Sequence, residues 1–279
     1  MKPRILSYGE IIFDLVGGRP FLGGAALNFA WVVNQLGGEA TLISAVGNDD
    51  FGLEALSIIE NYGINGHINF SGHPTGTAIV DSDGKFDIAH PAAWNQIEIP
   101  DLEDGAYDLL YMGTLAQMSS FNRERLTHLI QSLSVSVFLD LNLRHPFYSK
   151  EIIFDSLQMA NIVKVNLEEW QEIKNLTSIE DPFGFMDYFN LSHLAITMGC
   201  EGARLFFDGQ ELQYRPRKIT EVDPTGAGDA FSAGFAMGIL SEIPEINILK
   251  VGCEAGAAVA ANRGAHMKLP DFVRNQLLL

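Results

Sequence analysis

The chain has 279 residues, 47% hydrophobic and 19% charged, ordinary values for a globular protein able to bury a sizeable core. At ~150 residues per domain that length allows one large domain or two unequal ones. Lys and Arg number 18 against 35 Asp and Glu, so the formal net charge is −17, a field that repels phosphate backbones and speaks against nucleic acid as a partner. Cys200 and Cys253 stand far apart, which excludes a disulfide framework and a cysteine-built zinc site. Glu10 arrives too early for a signal-peptide core. The longest uncharged stretch, 20–38, contains four glycines, Asn28, Asn34 and Gln35, too polar for a membrane span. The expectation is a cytoplasmic protein with no membrane partner.

The apolar pattern predicts a strand over 4–12, a helix over 25–36, a strand over 40–46 and a helix over 52–61. From 64 to 90 the rhythm changes to short alternating runs with turns at Ser71-Gly72-His73-Pro74 and Asp81-Ser82-Asp83-Gly84. Asp83-Gly84 between 77–80 and 85–89 reads as a hairpin. Half-polar strands here, with 13–22 added, predict a small sheet standing off the main body as a lid, a dimer surface, or both. Beyond it come strands over 108–112, 135–141, 162–165 and 194–197. They alternate with helices over 122–133, 150–159 and 167–175, and helices over 227–240 and 245–262 close the chain. Strand and helix in alternation give an α/β class, a central mainly parallel sheet flanked by helices. No linker or repeat divides residues 1–279, so one domain is expected.

No GxxxxGK[ST], GxGxxG opening a helix, HExxH or GxSxG occurs. That removes the P-loop NTPases, Rossmann dehydrogenases, zincins and α/β-hydrolases. The most informative stretch is Asp223-Pro224-Thr225-Gly226-Ala227-Gly228-Asp229-Ala230-Phe231, a turn of small residues running into an apolar helix. Glycines let a ligand reach the backbone, and the first N–H groups of a helix form a site for a phosphate. Asp229 in that first turn is placed to take a proton from a hydroxyl beside the phosphate. A lone GxGD would more often be just a glycine turn with a helix-start acid; the full run to Phe235 is far more specific. Gly234 and Gly238 inside the helix predict close packing against another element. Near the N-terminus, Gly23-Gly24-Ala25-Ala26-Leu27-Asn28 continues to Gly37-Gly38 and Gly47. Asn28 on an almost wholly apolar helix needs a partner, either neighbouring backbone or a sugar hydroxyl.

Together these two stretches resemble the signature motifs of the ribokinase-like (PfkB) carbohydrate kinases, and landmarks between them fit in order over essentially the whole chain. The resemblance implies a ribokinase-like fold with a small β-lid and transfer of the ATP γ-phosphoryl group to a hydroxyl of a small sugar. By it Asp229 is the catalytic base, the amides of Gly226, Ala227 and Gly228 hold the phosphoryl group, and Arg144 neutralises its charge. Asp14, Gly23, Gly24, Asn28, Trp94 and Asn142 line the sugar site. Thr197, Gly199, Gly202, Ala258 and Asn262 belong to the nucleotide. Asn166 and Glu169 form the family's NxxE element, which touches magnesium through water; taken alone they are a capping box. Alone, too, Asp14 is a strand-end acid, Arg144 a surface arginine and Trp94 a core residue. ATP and Mg²⁺ are the implied cofactors, with a monovalent cation such as K⁺ compatible. A homodimer joined through the lid is the expected assembly. Glu10, Asn142-Leu143-Arg144 and Ala93-Trp94 look most similar to the fructokinase branch, which makes fructose the expected acceptor. Ribokinase, 2-keto-3-deoxygluconate kinase and nucleoside kinase stay open. So does an idle sugar- or nucleotide-sensing protein on the same fold. The seven histidines show no ligand spacing.

Overall fold

The computed structural model describes residues 2–80 and 86–278. Its strands are β1 (Arg4–Tyr8), β2 (Ile12–Val16), β3 (Arg19–Gly23), β4 (Glu39–Gly47), β5 (Asn65–Ser71), β6 (Gly76–Val80) and β7 (Phe86–Ile88). They continue with β8 (Leu109–Met112), β9 (Ser136–Asp140), β10 (Ile162–Asn166), β11 (His193–Thr197), β12 (Ala203–Phe207) and β13 (Gln210–Tyr214). The helices are α1 (Ala25–Gln35), α2 (Asp50–Asn61), α3 (Ser120–Ser132), α4 (Lys150–Met159) and α5 (Leu167–Thr177). After them come α6 (Pro182–Phe189), α7 (Ala227–Leu240), α8 (Glu245–Ala260) and α9 (Asp271–Arg274).

One sheet has the order β13-β12-β11-β10-β9-β8-β1-β4-β5. It is parallel from β5 to β11, and β12 and β13 add on antiparallel. Successive side chains of a strand leave opposite faces, so Ile5, Leu109 and Phe138 pack with α1, α7 and α8 while Leu6, Leu110 and Leu139 pack with α3 to α6. Both faces are covered, which is why these strands read as continuous apolar runs. The helices α7 and α8 touch closely: a methyl group on Gly234 would stand 2.9 Å from the Val251 carbonyl oxygen, and one on Gly238 3.0 Å from the Ile248 Cα.

The second sheet, β3-β2-β6-β7, is the small one. The expected strand over 4–12 stops at Tyr8, and Ile12 starts β2, because Glu10 turns inward to accept the Ala25 N–H at the start of α1 (3.0 Å). The run 13–22 is not one strand but most of a hairpin folded at Gly17 and Gly18, both with positive φ. The lid expected over 64–90 is only partly found. Residues of β5 instead pair parallel with β4 at the edge of the large sheet, and only β6 and β7 join the small one. The expected Asp83-Gly84 turn falls in 81–85, outside the described residues. Among the described residues, no helix is long and apolar enough to cross a membrane.

Candidate active site

The carboxyl ends of β1, β9, β10 and β11 open into a cleft of about 920 Å³, with Ala78 and Ile88 of the small sheet on its far wall. This is where ligands gather in an open α/β sheet. The turn before α7 forms the floor. Asp223 ties it down by accepting the Thr225 N–H and the Gly264 N–H, both at 3.0 Å. Gly226 has φ +79°, and a side chain there would overlap the Ala265 Cβ, so conformation and space both require glycine. The Ala227 N–H turns back to the Pro224 carbonyl (3.1 Å). Among the described residues no backbone acceptor meets the N–H groups of Gly226, Gly228 and Asp229. Of the expected 226, 227 and 228, Ala227 spends its N–H on the turn and does not line the cleft, whereas Gly226 and Gly228 do, as does Asp229.

Asp229 accepts the Asn28 amide N–H at 2.7 Å. The same amide's Oδ1 is buried without a partner, so Asn28 holds Asp229 with one end and offers a bare acceptor with the other. Burial, reinforced by the charge of Asp140, pushes the Asp229 carboxyl up to about 7, against the pull of Asn28, Lys164 and Arg144. A carboxylate of that basicity can take a proton from a hydroxyl near neutral pH.

The small sheet supplies Asp14, whose carboxyl burial pushes up to about 6; Arg144 opposes the rise while Asp229 and Asp223 add to it. Gly24 lines the cleft at φ +107°, and any side chain there would overlap the Glu10 carbonyl oxygen. Gly23 closes β3 against Asp14, leaving 3.3 Å between its would-be Cβ and Oδ2. Asn142, left-handed at φ +42°, turns the chain after β9 so that Asn142 and Arg144 line the cleft. Glu169 fixes that loop: its Oε1 accepts the Leu143 N–H (2.9 Å) and its Oε2 the Asn166 N–H (2.8 Å). The Asn166 Oδ1 in turn accepts the Glu169 N–H at 2.8 Å. The capping box is real, and its acid also positions the Asn-Leu-Arg loop.

Other expected residues are elsewhere. Trp94 is fully buried among Ile12, Ala78, Ile88 and Leu115; it supports the lid wall from behind and does not line the cleft. Thr197 and Gly199 line the cleft, but Gly202, Ala258 and Asn262 do not. Gly202 is required by the β13 backbone, since a side chain would overlap the Tyr214 carbonyl. The exposed Asn262 gives its amide to the Ala258 carbonyl (2.9 Å). Sequence reasoning missed Asp140, Lys164 and Ser232, a buried cluster beside the floor. A signal existed: an acid and a lysine each end or interrupt an apolar strand, and burial demands a partner for both.

Residues 5–271 match the pfkB family carbohydrate kinase. The chain is similar to the fructokinase of Escherichia coli, 27% identical over 298 residues that cover 97% of each protein. It is also similar to the aminoimidazole riboside kinase of Salmonella typhimurium, 25% identical over 229 residues, 76% of this chain and 72% of that one. Among solved structures, the fructokinase from Vibrio cholerae O395 in its fructose, ADP and calcium ion bound form overlays with a TM-score of 0.89. Identity there is 24%, and 99% of each chain is covered.

Proposed function

The chain belongs to the pfkB family of carbohydrate kinases, and from that premise we propose that it transfers the γ-phosphoryl group of ATP to a hydroxyl of fructose, with Asp229 as the base. The observation that carries the reading is Asp229 itself, held by Asn28 at the unfilled N-terminus of α7 with its carboxyl pushed up to about 7. The acceptor hydroxyl gives its proton to Asp229 as its oxygen bonds to phosphorus and the bond to the ADP oxygen breaks. The N–H groups of Gly226, Gly228 and Asp229 face the phosphoryl oxygens, where fixed donors act without reorganising. Arg144, which lines the cleft and acts on Asp229, adds positive charge. Asp14, Asn142 and the unpartnered Asn28 Oδ1 are the groups offered to sugar hydroxyls.

Mg²⁺ bound with the nucleotide would supply charge neutralisation at the phosphates. Asn166 and Glu169 fit a water-mediated role, because each Glu169 oxygen already accepts a backbone N–H and keeps one lone pair for water. Among the described residues no group of three or more His, Cys, Asp or Glu is placed to grip the ion directly. A monovalent cation such as K⁺, a cytoplasmic address and the absence of nucleic-acid or membrane partners complete the reading. A lid-to-lid homodimer is supported by Val16, Phe21 and Ile79, which leave 47%, 41% and 57% of their surfaces exposed on a four-stranded sheet. Sedimentation at micromolar concentration checks it, a monomer being the adverse result. Slower lid-amide exchange when fructose is added checks closure.

The substrate is tested by ATP consumption across fructose, ribose, other hexoses, 2-keto-3-deoxygluconate and nucleosides. Fructose is expected to give the highest kcat/KM. Preference for another acceptor overturns fructose and leaves the kinase. A riboside is the second reading, favoured by the likeness to aminoimidazole riboside kinase over 76% of the chain, and belongs in the same screen.

A further inference from the structure

One buried cation at the floor of the cleft, Lys164, has no part in the reaction as drawn above. It sits on β10 directly opposite Asp140 of β9. Its Nζ donates to both oxygens of that carboxylate, at 3.0 and 3.2 Å. Ser232, one turn along α7 from the base, donates to the same carboxylate at 2.8 Å. Asp140 thus accepts three bonds and is fixed from the neighbouring strand and from a helix. An ammonium has three N–H bonds; Asp140 takes two, and among the described residues no other hydrogen-bond partner meets Nζ. Lys164 lines the cleft beside Gly226, Gly228 and Asp229. A methyl group built on Gly228 would stand 3.1 Å from Nζ, so the ammonium touches the turn whose N–H groups have no backbone acceptor.

A buried ion pair is a poor device for stability, since well-packed apolar residues do as well or better. Its position suggests another purpose. In phosphoryl transfer the charge spreads over the three equatorial oxygens of the group in flight, and a fixed point charge there acts on the transition state. We propose that Lys164 is a catalytic residue whose third N–H donates to an equatorial oxygen of the transferring phosphoryl group, with Asp140 and Ser232 as positioning residues. The acceptor oxygen forms its bond to phosphorus while the phosphorus bond to the ADP oxygen breaks. The electron pair of that bond leaves with ADP, the hydroxyl proton goes to Asp229, and Lys164 keeps its proton throughout. The inference rests on the reading of Asp229 as base.

The test compares ADP binding alone with ADP binding in the presence of aluminium fluoride and the best acceptor of the screen, which together imitate the planar group in flight. The variants are Lys164→Met and the double variant Lys164→Met with Asp140→Asn, the second removing the carboxylate that would otherwise be left buried and unpaired. The expected result is a folded protein that binds ADP within about threefold of the parent, loses the tightening by aluminium fluoride, and turns over ~10²–10³-fold more slowly, the scale of losing one oxyanion donor. A folded variant with kcat within about threefold of the parent overturns the proposal. So does equal weakening of ADP with and without aluminium fluoride, the mark of a purely structural clamp. If neither variant folds, Lys164→Arg decides: it keeps the charge and displaces it. A tenfold or larger fall in kcat at unchanged ADP affinity supports the proposal, and full kcat overturns it. Asp229→Asn separates the two readings, because it is expected to stop turnover while keeping the aluminium fluoride effect. Normal turnover in that variant would remove the base and leave the Lys164 comparison standing.

Discussion

One end of the cleft is lined by the turn into α7 and by charges wedged between β9, β10 and α7, while the other is walled by a four-stranded sheet tied to the body at a few points. The first end is fixed by construction: Gly226 has no room for a side chain, Asp223 bolts the turn to Gly264, and Asp140 is held by two different donors. The second end hangs from a knot at Asp49, which caps α2 through the Gly52 N–H (2.8 Å) and also accepts the Thr75 N–H (2.8 Å) and hydroxyl (2.6 Å) just ahead of β6. Phe13 stacked on Phe51, 4.6 Å between centroids, is a second anchor. The contrast matches two needs. In the proposed reaction, transition-state charge calls for dipoles that do not reorganise, whereas water exclusion calls for a wall able to close over the sugar.

The contrast breaks most decisively at Asp229. Asp229→Asn keeps an acceptor for Asn28 and so keeps the fold, but kcat should fall at least ~10²-fold, the ordinary scale for losing a general base. Steady-state kinetics beside a thermal melt decide it, and a folded variant with near-parental kcat removes the base. A smaller loss, roughly 10–10²-fold, is expected of Gly228→Val, because the new side chain starts 3.1 Å from the Lys164 ammonium and its branches crowd the floor. Near-parental ATP kinetics in the folded variant would show that the turn only connects elements.

The pH profile sharpens the same end. Asp229 acts as base only when ionised, and its carboxyl lies up at about 7. Below that pH a proton occupies it, so kcat/KM should fall about tenfold per unit as pH drops and level off above. A profile flat from pH 5.5 to 8 contradicts the assignment. The smallest effect belongs to the lid. Asp49→Ala removes the knot, and the KM for the acceptor should rise a few-fold with kcat nearly unchanged, at a stability cost of about 1 kcal/mol for the lost cap. A drop in kcat with KM constant would mean that the lid root and the chemistry are not separate.

The sequence carried the large sheet well because buried parallel strands announce themselves as apolar runs, and the turn at Gly226 into α7 was legible as small residues running into an apolar helix. It carried the lid poorly. The strand β5 alternates like a half-exposed strand because it is an edge strand, and only its pairing with β4 assigns it to the large sheet. The hairpin of β12 and β13 was overlooked although Asp208-Gly209, both at positive φ, is a strong turn signal. Asp181-Pro182 similarly marks the start of α6, where the Asp181 side chain accepts the Gly184 N–H. Trp94 could not be assigned without its neighbours, since an aromatic beside a lid packs or stacks with equal ease. The partnership of Asp140, Lys164 and Ser232 depends on register between β9 and β10 and on the placement of α7, none of which is local in sequence.

The hydrogen bond from Asn28 to Asp229 joins residues 201 positions apart. A ribosome working at 5–20 residues per second delivers the acceptor-side glycines and Asn28 about 10–40 s before the base. Until then Asn28 lacks this partner, and a nascent chain short of residue 229 lacks the proposed base. On the proposed reading the site is complete only once α7 (Ala227–Leu240) has docked beside α1.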